Sequence, residues 1–190
     1  TVTAVNDNIP VITSANGFDI PENISAVTSV TASDADLPFQ TLTYSISGGA
    51  DAARFNIDPA TGVLTFATPP DFEVPTDADL DNIYNITVQT SDESLTVTQD
   101  LVVTVTPVND NPPVMTSVSA LGTGFNISEN SSSVTTITAT DADLPLQTLT
   151  FSITGGADLA LFDINSLTGE LTFITAPDFE SPSDAGLDNI

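Results

Sequence analysis

The chain repeats one acidic pattern, and this internal repetition constrains its fold more than any other feature. The segment Asp34-Ala35-Asp36-Leu37-Pro38 recurs 107 residues later as Asp141-Ala142-Asp143-Leu144-Pro145. Pro70-Asp71-Phe72-Glu73 recurs at the same spacing as Pro177-Asp178-Phe179-Glu180. A repeat of about 100 residues is long enough to be a complete small domain. The sequence therefore predicts tandem copies of one domain.

A short connector separates the two copies. It reads Val108-Asn109-Asp110-Asn111-Pro112-Pro113, and its first four residues match Val5-Asn6-Asp7-Asn8, 103 residues earlier. The smaller spacing implies four extra residues in the second copy, which we place around Gly122 and Gly124. The two prolines stiffen the backbone. Three adjacent oxygen-bearing side chains suit a hard cation such as calcium.

The repeats also suggest where the domains begin and end. Thr1–Val5 matches Thr104–Val108, and the second copy stops at the equivalent of Ile83. We therefore expect a window on a longer array. The divisions are 1–8, the last strand and linker of a preceding repeat; 9–107, a complete repeat; 108–113, a linker; and 114–190, a second repeat lacking its last two strands.

Several runs in the complete copy alternate apolar and polar residues with the period of a half-buried strand. No segment has sustained helical periodicity. Seven short strands in about 100 residues are typical of an immunoglobulin-like Greek-key β-sandwich, so the predicted fold class is all-β, with tandem seven-stranded sandwiches. We predict strands at Val11–Ile20, Ser25–Thr31, Thr41–Ser47, Ala53–Ile57, Gly62–Ala67, Ile83–Thr90 and Leu95–Thr106.

Composition excludes several classes of function. The 190 residues carry a formal net charge of −25, and Arg54 is the only Lys or Arg. Nucleic acids and acidic membranes are therefore poor partners. No apolar run approaches the length of a membrane span, so we expect no direct membrane insertion. The absence of Cys and His removes disulfides, thiolate sites and the commonest catalytic bases, and we predict no enzymatic activity.

The acidic pairs are the main candidates for chemistry. Asp34 and Asp36 are two residues apart at a predicted strand end, as are Asp71 and Glu73, and this spacing puts both carboxylates on one side of an extended backbone. With almost no basic residues to compensate, a divalent cation would relieve their repulsion. The alternative is that these acids are simply solvated at loop ends.

Taken in order, Glu22-Asn23, Asp34-Ala35-Asp36, Asp71-Phe72-Glu73 and Asn109 to Pro113 resemble the motifs of tandem cadherin repeats, in the acidic, Thr-rich form of bacterial surface proteins. Glu22-Asn23 recurs as Glu129-Asn130 with the same 107-residue spacing. The resemblance implies calcium clusters at the junctions between repeats. Each cluster would draw ligands from both neighbouring repeats and from the linker.

The resemblance assigns ligands to three junctions. For the central junction they are Glu22, Asp71, Glu73, Asn109, Asp110, Asn111, Asp141 and Asp143; for the preceding one Asn6, Asp7, Asn8, Asp34, Asp36 and Asp92; for a third one Glu129, Asp178 and Glu180. The chain departs from the family in having Pro107 and Ala4 where the linker usually begins with Asp, which argues against full occupancy by three ions.

A further acidic loop contains Asp77, Asp79 and Asp81. Its alternating oxygens are spaced as in a calcium loop, but it lacks the Gly and the distal Glu of an EF-hand. The second copy reads Asp184, Gly186 and Asp188. Either an additional ion binds there, or the loop is solvated and limits edge-strand aggregation.

These features predict a calcium-dependent structural and adhesive module of an extracellular cell-surface or matrix protein. Expected partners are other cadherin-like repeats in the same or neighbouring chains, with a cell-surface protein or polysaccharide as further candidates. One alternative is a sandwich that binds carbohydrate, although exposed aromatic platforms are few. Another is a biofilm or filament subunit in which Thr1–Val5 of one chain completes the sandwich of another.

Overall fold

The computed structural model describes residues 1–117 and 124–187, and these form two compact units, residues 1–109 and 110–190. The boundary between the units falls inside the predicted linker. The insertion placed around Gly122 and the acidic residue Asp188 lie outside the described residues. Residues 1–8, expected to belong to a preceding repeat, form no strand in this chain.

The first unit is an all-β sandwich. Its strands are β1 Val11–Ile12, β2 Gly17–Pro21, β3 Ala26–Ser29, β4 Ala32–Ser33, β5 Thr43–Gly48, β6 Phe55–Ile57, β7 Val63–Phe66, β8 Ile83–Ser91 and β9 Thr96–Thr106. One sheet has the order β2-β9-β8-β5 and the other the order β3-β7-β6. The predicted β-sandwich is thus confirmed.

The first predicted strand, Val11–Ile20, is wrong as a single element. It divides into β1, which pairs antiparallel with β4, and β2, which pairs parallel with β9. Asn16 and Gly17 stand at the crossover, and the Asn16 carbonyl accepts the N–H of Val102 at 2.9 Å. The chain therefore changes partners within one apolar run, and alternation alone gives no sign of such a change.

The core lies between the two sheets. Its centre is aromatic: the Phe55 and Phe66 rings are 4.5 Å apart, and the Tyr84 ring stands edge-on to them at 5.9 and 5.1 Å. The Tyr84 hydroxyl reaches the Thr76 hydroxyl at 3.3 Å, which satisfies its polar end. The buried apolar residues are Val30, Phe55, Leu64, Phe66, Tyr84, Ile86, Val88, Leu101, Val103 and Val105.

The second unit repeats part of this architecture. Its sheet β11-β14-β13 corresponds to β3-β7-β6, and the Phe162–Phe173 rings are again 4.5 Å apart. Both rings are only half-buried, whereas Phe55 and Phe66 are buried. The strands are β10 Val114–Met115, β11 Ser133–Thr136, β12 Ala139–Thr140, β13 Phe162–Ile164 and β14 Glu170–Phe173.

One turn has the same backbone requirement in both units. Gly62 and Gly169 have φ of 70° and 71°, and a Cβ on either would lie 2.2 or 2.1 Å from the carbonyl oxygen of Val30 or Ile137. Only glycine fits such a close approach. The Thr-Gly pairs at this position therefore fix the turn that precedes β7 and β14.

Truncation of Leu64, which is fully buried in β7, should destabilise the first unit. We expect Leu64→Ala to lower the free energy of unfolding by about 2–5 kcal/mol, because the lost methyl groups leave a cavity. Both tyrosines, Tyr44 and Tyr84, lie in the first unit and the chain has no Trp, so tyrosine fluorescence in a urea titration reports on this unit. The matched variant Leu171→Ala, in the second unit, should leave that transition unchanged. A cost below about 1 kcal/mol for Leu64→Ala would contradict the assigned core.

Candidate metal centre

The loop after β4 holds the segment that enters the first sandwich. Asp36 is 4% exposed, and its carboxylate accepts the backbone N–H of Asp7 at 3.0 Å, the N–H of Asn8 at 2.9 Å and the Asn8 side-chain amide. The Asn8 side chain, followed by its backbone N–H, lowers the pKa of Asp36 against the opposing effect of burial. Asp36 is therefore held ionised at the end of the domain.

Three carboxylates converge at this end of the first unit. Oxygens of Asp34, Asp36 and Asp92 lie within 4.8 Å of one another. Asp92 is fully buried, and its Oδ1 accepts the N–H of Leu95 at 2.6 Å and of Ser94 at 2.8 Å. The hydrogen bond from the Leu95 N–H outweighs the opposing effect of burial and lowers the pKa of Asp92. Three ionised groups this close repel one another unless a cation lies between them.

Two further observations bear on an oxygen-binding cation at this cluster. The Oδ2 atom of Asp34 is buried without a hydrogen-bond partner. One end of the Asn6 carboxamide lies 3.0 Å from Asp92 Oδ2 and 3.1 Å from Asp36 Oδ2. A nitrogen at that end would donate to both carboxylates, whereas an oxygen there would add another ligand for a cation. The donor set is entirely oxygen, which suits calcium and is unlike the N and S ligands preferred by zinc.

The second unit has a buried aspartate, Asp143, that corresponds to Asp36 and bonds to residues of its own unit. Asp143 is fully buried, and it accepts the backbone N–H of Asn111 at 3.1 Å and the Asn111 side-chain amide at 2.9 Å. The Asp110 N–H lies 3.4 Å from the same carboxylate, and Asp141 Oδ1 accepts the Asp143 N–H at 3.0 Å. Burial opposes ionisation of Asp143, but the Asn111 hydrogen bonds outweigh it and lower the pKa.

A second acidic cluster lies at the other end of the first unit, where β9 ends. Glu22 is 2% exposed; its two carboxylate oxygens accept the N–H groups of Phe72 and Val108, each at 2.7 Å. An oxygen of half-buried Glu73 lies within 4.8 Å of an oxygen of Glu22. Exposed Asp71 uses its Oδ1 to accept the Glu73 N–H at 3.1 Å, which shapes the turn that carries Glu73. We call Glu22, Asp71 and Glu73 the base cluster.

The second unit has an exposed equivalent of the base cluster. Oxygens of Glu129, Asp178 and Glu180 lie within 4.8 Å of one another. Glu129 Oε2 accepts the Phe179 N–H at 3.1 Å, as Glu22 does with Phe72. In both units, therefore, a glutamate accepts a backbone N–H from the turn that carries the Asp-Phe-Glu motif.

The remaining predicted residues divide between the units. Asn109 is exposed at the end of the first unit, whereas Asp110, Asn111, Asp141 and Asp143 belong to the second. Oxygens of Asp77, Asp79 and Asp81 lie within 4.8 Å of one another. The neighbouring Asp81 carboxylate raises the pKa of Asp79, so like-charge repulsion acts within this loop as well.

Sequence reasoning missed two buried polar residues near these clusters, Asp51 and Asn82. Asp51 is 3% exposed and accepts the N–H groups of Ala78 and Asn85, each at 2.7 Å. Asn82 is 8% exposed and donates to the Phe72 carbonyl at 2.9 Å. Their recurrence as Asp158 and Asn189, 107 residues later, was a signal that could have identified them.

The sequence is similar to that of known proteins. Residues 16–106 match the cadherin domain family. Cadherin-23 of Rattus norvegicus is 33% identical over 193 residues, which cover 95% of this chain and 6% of that protein. Protocadherin-23 of Homo sapiens is 33% identical over 184 residues, covering 93% of this chain and 5% of that protein. The chain thus spans only a small part of these relatives.

Solved structures show the same fold. Human protocadherin-24 EC1-2 aligns with a TM-score of 0.70 and 24% identity, covering 94% of this chain and 82% of that chain. The human desmocollin-1 ectodomain aligns with a TM-score of 0.63 and 26% identity, covering 93% of this chain and 35% of that chain. Within residues 1–117 and 124–187, no helix is long and apolar enough to cross a membrane. The chain belongs to the cadherin family, whose members are extracellular adhesion proteins and not enzymes.

Proposed function

We propose that this chain is a calcium-dependent structural and adhesive module whose repeats are stiffened by Ca²⁺ at their junctions. The preceding junction would use the Asp34, Asp36 and Asp92 cluster together with Asn6, Asp7 and Asn8. The central junction would use the base cluster, the linker from Asn109 to Asn111, and Asp141 with Asp143. The exposed Glu129, Asp178 and Glu180 group would serve a third junction.

The observation that carries this proposal is the convergence of Asp34, Asp36 and Asp92, two of them buried, in a chain with a single basic side chain. Buried carboxylates are costly unless they are paired, hydrogen-bonded or bound to a metal. Backbone N–H groups satisfy part of Asp36 and Asp92, but they cannot remove the repulsion between the three charges. A hard divalent cation with six to eight oxygen ligands does so.

Stiffening follows from the way the ligands are divided along the chain. When two domains and their linker share one set of ions, bending the linker breaks metal–oxygen bonds and brings like charges together without compensation. When the ions are removed, the same acids repel and the linker becomes a flexible joint. Calcium also stabilises each domain, because it binds the folded state only.

Adhesion is the part of the proposal that depends on partners. Other cadherin repeats, in the same or a neighbouring chain, are the partners we propose; the related protocadherin gammaB7 EC3-6 structure is a cis-dimer. A cell-surface protein or a polysaccharide would be a more specific partner, but only three Phe side chains among the described residues, Phe39, Phe125 and Phe179, are exposed enough to stack on a sugar. The matrix and filament roles expected from the sequence gain no support from the relatives, so the adhesive module is the function we retain.

Calcium should raise the thermal stability of the first unit. At a free concentration about 100 times its dissociation constant, one bound ion adds about 2.7 kcal/mol, which corresponds to roughly 10 °C or more for a domain of this size. Thermal unfolding followed by tyrosine fluorescence, with calcium or with a chelator, measures the shift. Equal concentrations of magnesium are the control, because Mg²⁺ retains its water and prefers octahedral sites. A melting temperature that calcium leaves unchanged would refute binding at this unit.

Loss of one charged ligand should weaken calcium binding selectively. Asp36→Asn replaces a carboxylate oxygen that accepts the N–H groups of Asp7 and Asn8 with an amide that itself donates. We expect the calcium dissociation constant of that site, measured by calorimetric titration of the metal-free protein, to rise by at least about tenfold, because even loss of a residue that only orients a metal ligand costs about 10–100-fold in affinity.

The charge-matched control is Asp19→Asn, on the exposed face of β2. It removes the same formal charge but touches none of the proposed ligands, so its dissociation constant should stay within about twofold of the wild-type value, as expected for screened surface charges. Equal weakening by Asp19→Asn and Asp36→Asn would mean that calcium responds to net charge alone and occupies no defined site.

A further inference from the structure

The acidic loop, defined as residues 77–82, is fixed from both sides by buried acids. Asp77 is 3% exposed, and its carboxylate accepts the N–H of Asp81 at 2.8 Å and of Asn82 at 3.1 Å. Buried Asp51 accepts the Ala78 N–H and thereby ties the loop to the turn before β6. These bonds fold the loop back on itself and leave Asn82 in a defined place.

Asn82 connects the acidic loop to the base cluster. Its φ is 64°, and its side-chain amide donates to the Phe72 carbonyl oxygen at 2.9 Å. The N–H of the same Phe72 donates to Glu22 Oε2 at 2.7 Å. Both polar backbone groups of Phe72 are therefore held, one by the acidic loop and the other by a proposed calcium ligand. Phe72 stands between Asp71 and Glu73, the other two members of the base cluster.

We propose that Asn82, supported by Asp77 and Asp51, is a positioning residue for the calcium ligands of the base cluster. This inference rests on the proposed function, because it assumes that Glu22, Asp71 and Glu73 bind calcium. A ligand turn that is held in place before the ion arrives loses less conformational freedom on binding, and outer-shell partners of this kind typically affect metal affinity by about 10–100-fold.

The same tie recurs in the second unit, which supports a dedicated role. Asp158 Oδ1 accepts the Ala185 N–H at 2.6 Å, as Asp51 does with Ala78. Leu187 has a φ of 52° and Leu80 a φ of 61°, so this equivalent residue takes the left-handed conformation in both loops. The competing account is that the acidic loop itself binds an ion through Asp77, Asp79 and Asp81.

The test is a calcium titration of the whole metal-free chain followed by amide NMR signals. The Phe72 and Val108 amides, bonded to Glu22, report on the base cluster, and the Asn8 and Leu95 amides, bonded to Asp36 and Asp92, report on the opposite end. Asn82→Gly retains freedom at positive φ but removes the donor. We expect its midpoint at Phe72 and Val108 to rise about tenfold or more, with no change at Asn8 and Leu95.

The second variant is Asn82→Asp, which keeps the proposal testable if Asn82→Gly does not fold. Asn82→Asp keeps the size of the side chain and adds a negative charge, which by itself would attract calcium, so weaker binding at the base cluster in this variant comes from the Phe72 carbonyl losing its donor and facing a carboxylate. Unchanged Phe72 and Val108 midpoints in the folded variants would overturn the proposal. So would a parallel rise at all four amides, which indicates general loosening of the domain.

Asp79→Asn separates positioning from direct binding by the acidic loop, because the bonds that link the loop to Phe72 come from Asp77 and Asn82, and Asp79 only interacts with the neighbouring carboxylates of Asp77 and Asp81. We expect Asp79→Asn to leave the Phe72 midpoint unchanged. If Asp79→Asn weakens calcium binding as much as Asn82→Gly does, the acidic loop binds the ion directly and the positioning role is overturned. Saturation at none of the four amides in the wild-type chain would instead refute the proposed calcium function, and the positioning role with it.

Discussion

Buried carboxylates that accept backbone N–H groups are the interaction on which both units depend. Asp36, Asp143 and Glu22 each take a charge into the protein and bond to the N–H groups of a segment entering or leaving a sandwich. The hydrogen bonds offset much of the desolvation, and they lower the pKa of Asp36 and Asp143. Because Asp36 and Asp143 remain ionised beside other carboxylates, neutralising the repulsion between these charges would stabilise the ends of the domains.

The aromatic core and the acidic ends depend on each other through the chain. Tyr84 packs on Phe55 and Phe66, and β8 begins directly after the acidic loop that reaches Phe72. The strand that completes the aromatic centre therefore starts at the loop whose Asn82 holds the turn of the base cluster. The second unit has the Phe162–Phe173 pair in the same geometry.

Much of the fold could be predicted from the sequence, because strand periodicity and the 107-residue repeat are strong signals. β5 to β9 agree with the predicted strands to within about two residues. The change of sheet within Val11–Ile20 could not be predicted, since both halves share one apolar pattern and only long-range pairing separates them. Oxygens of Asp34, Asp36 and Asp92 lie close together, and their role as calcium ligands stays a prediction. Asp51 and Asn82 were overlooked because their importance lies in hydrogen bonds to distant backbone groups, which a local motif does not reveal.

The central claim is that calcium makes the joint between the two repeats rigid. Because the chain contains no cysteine, single spin labels can be placed at the equivalent exposed turns through Thr61→Cys and Thr168→Cys. The distance distribution between the labels, measured by pulsed electron paramagnetic resonance, should be narrow with saturating calcium and broad with a chelator. Asp110→Ala in the linker should keep it broad at the same calcium concentration. A distribution of equal width with and without calcium would contradict the account.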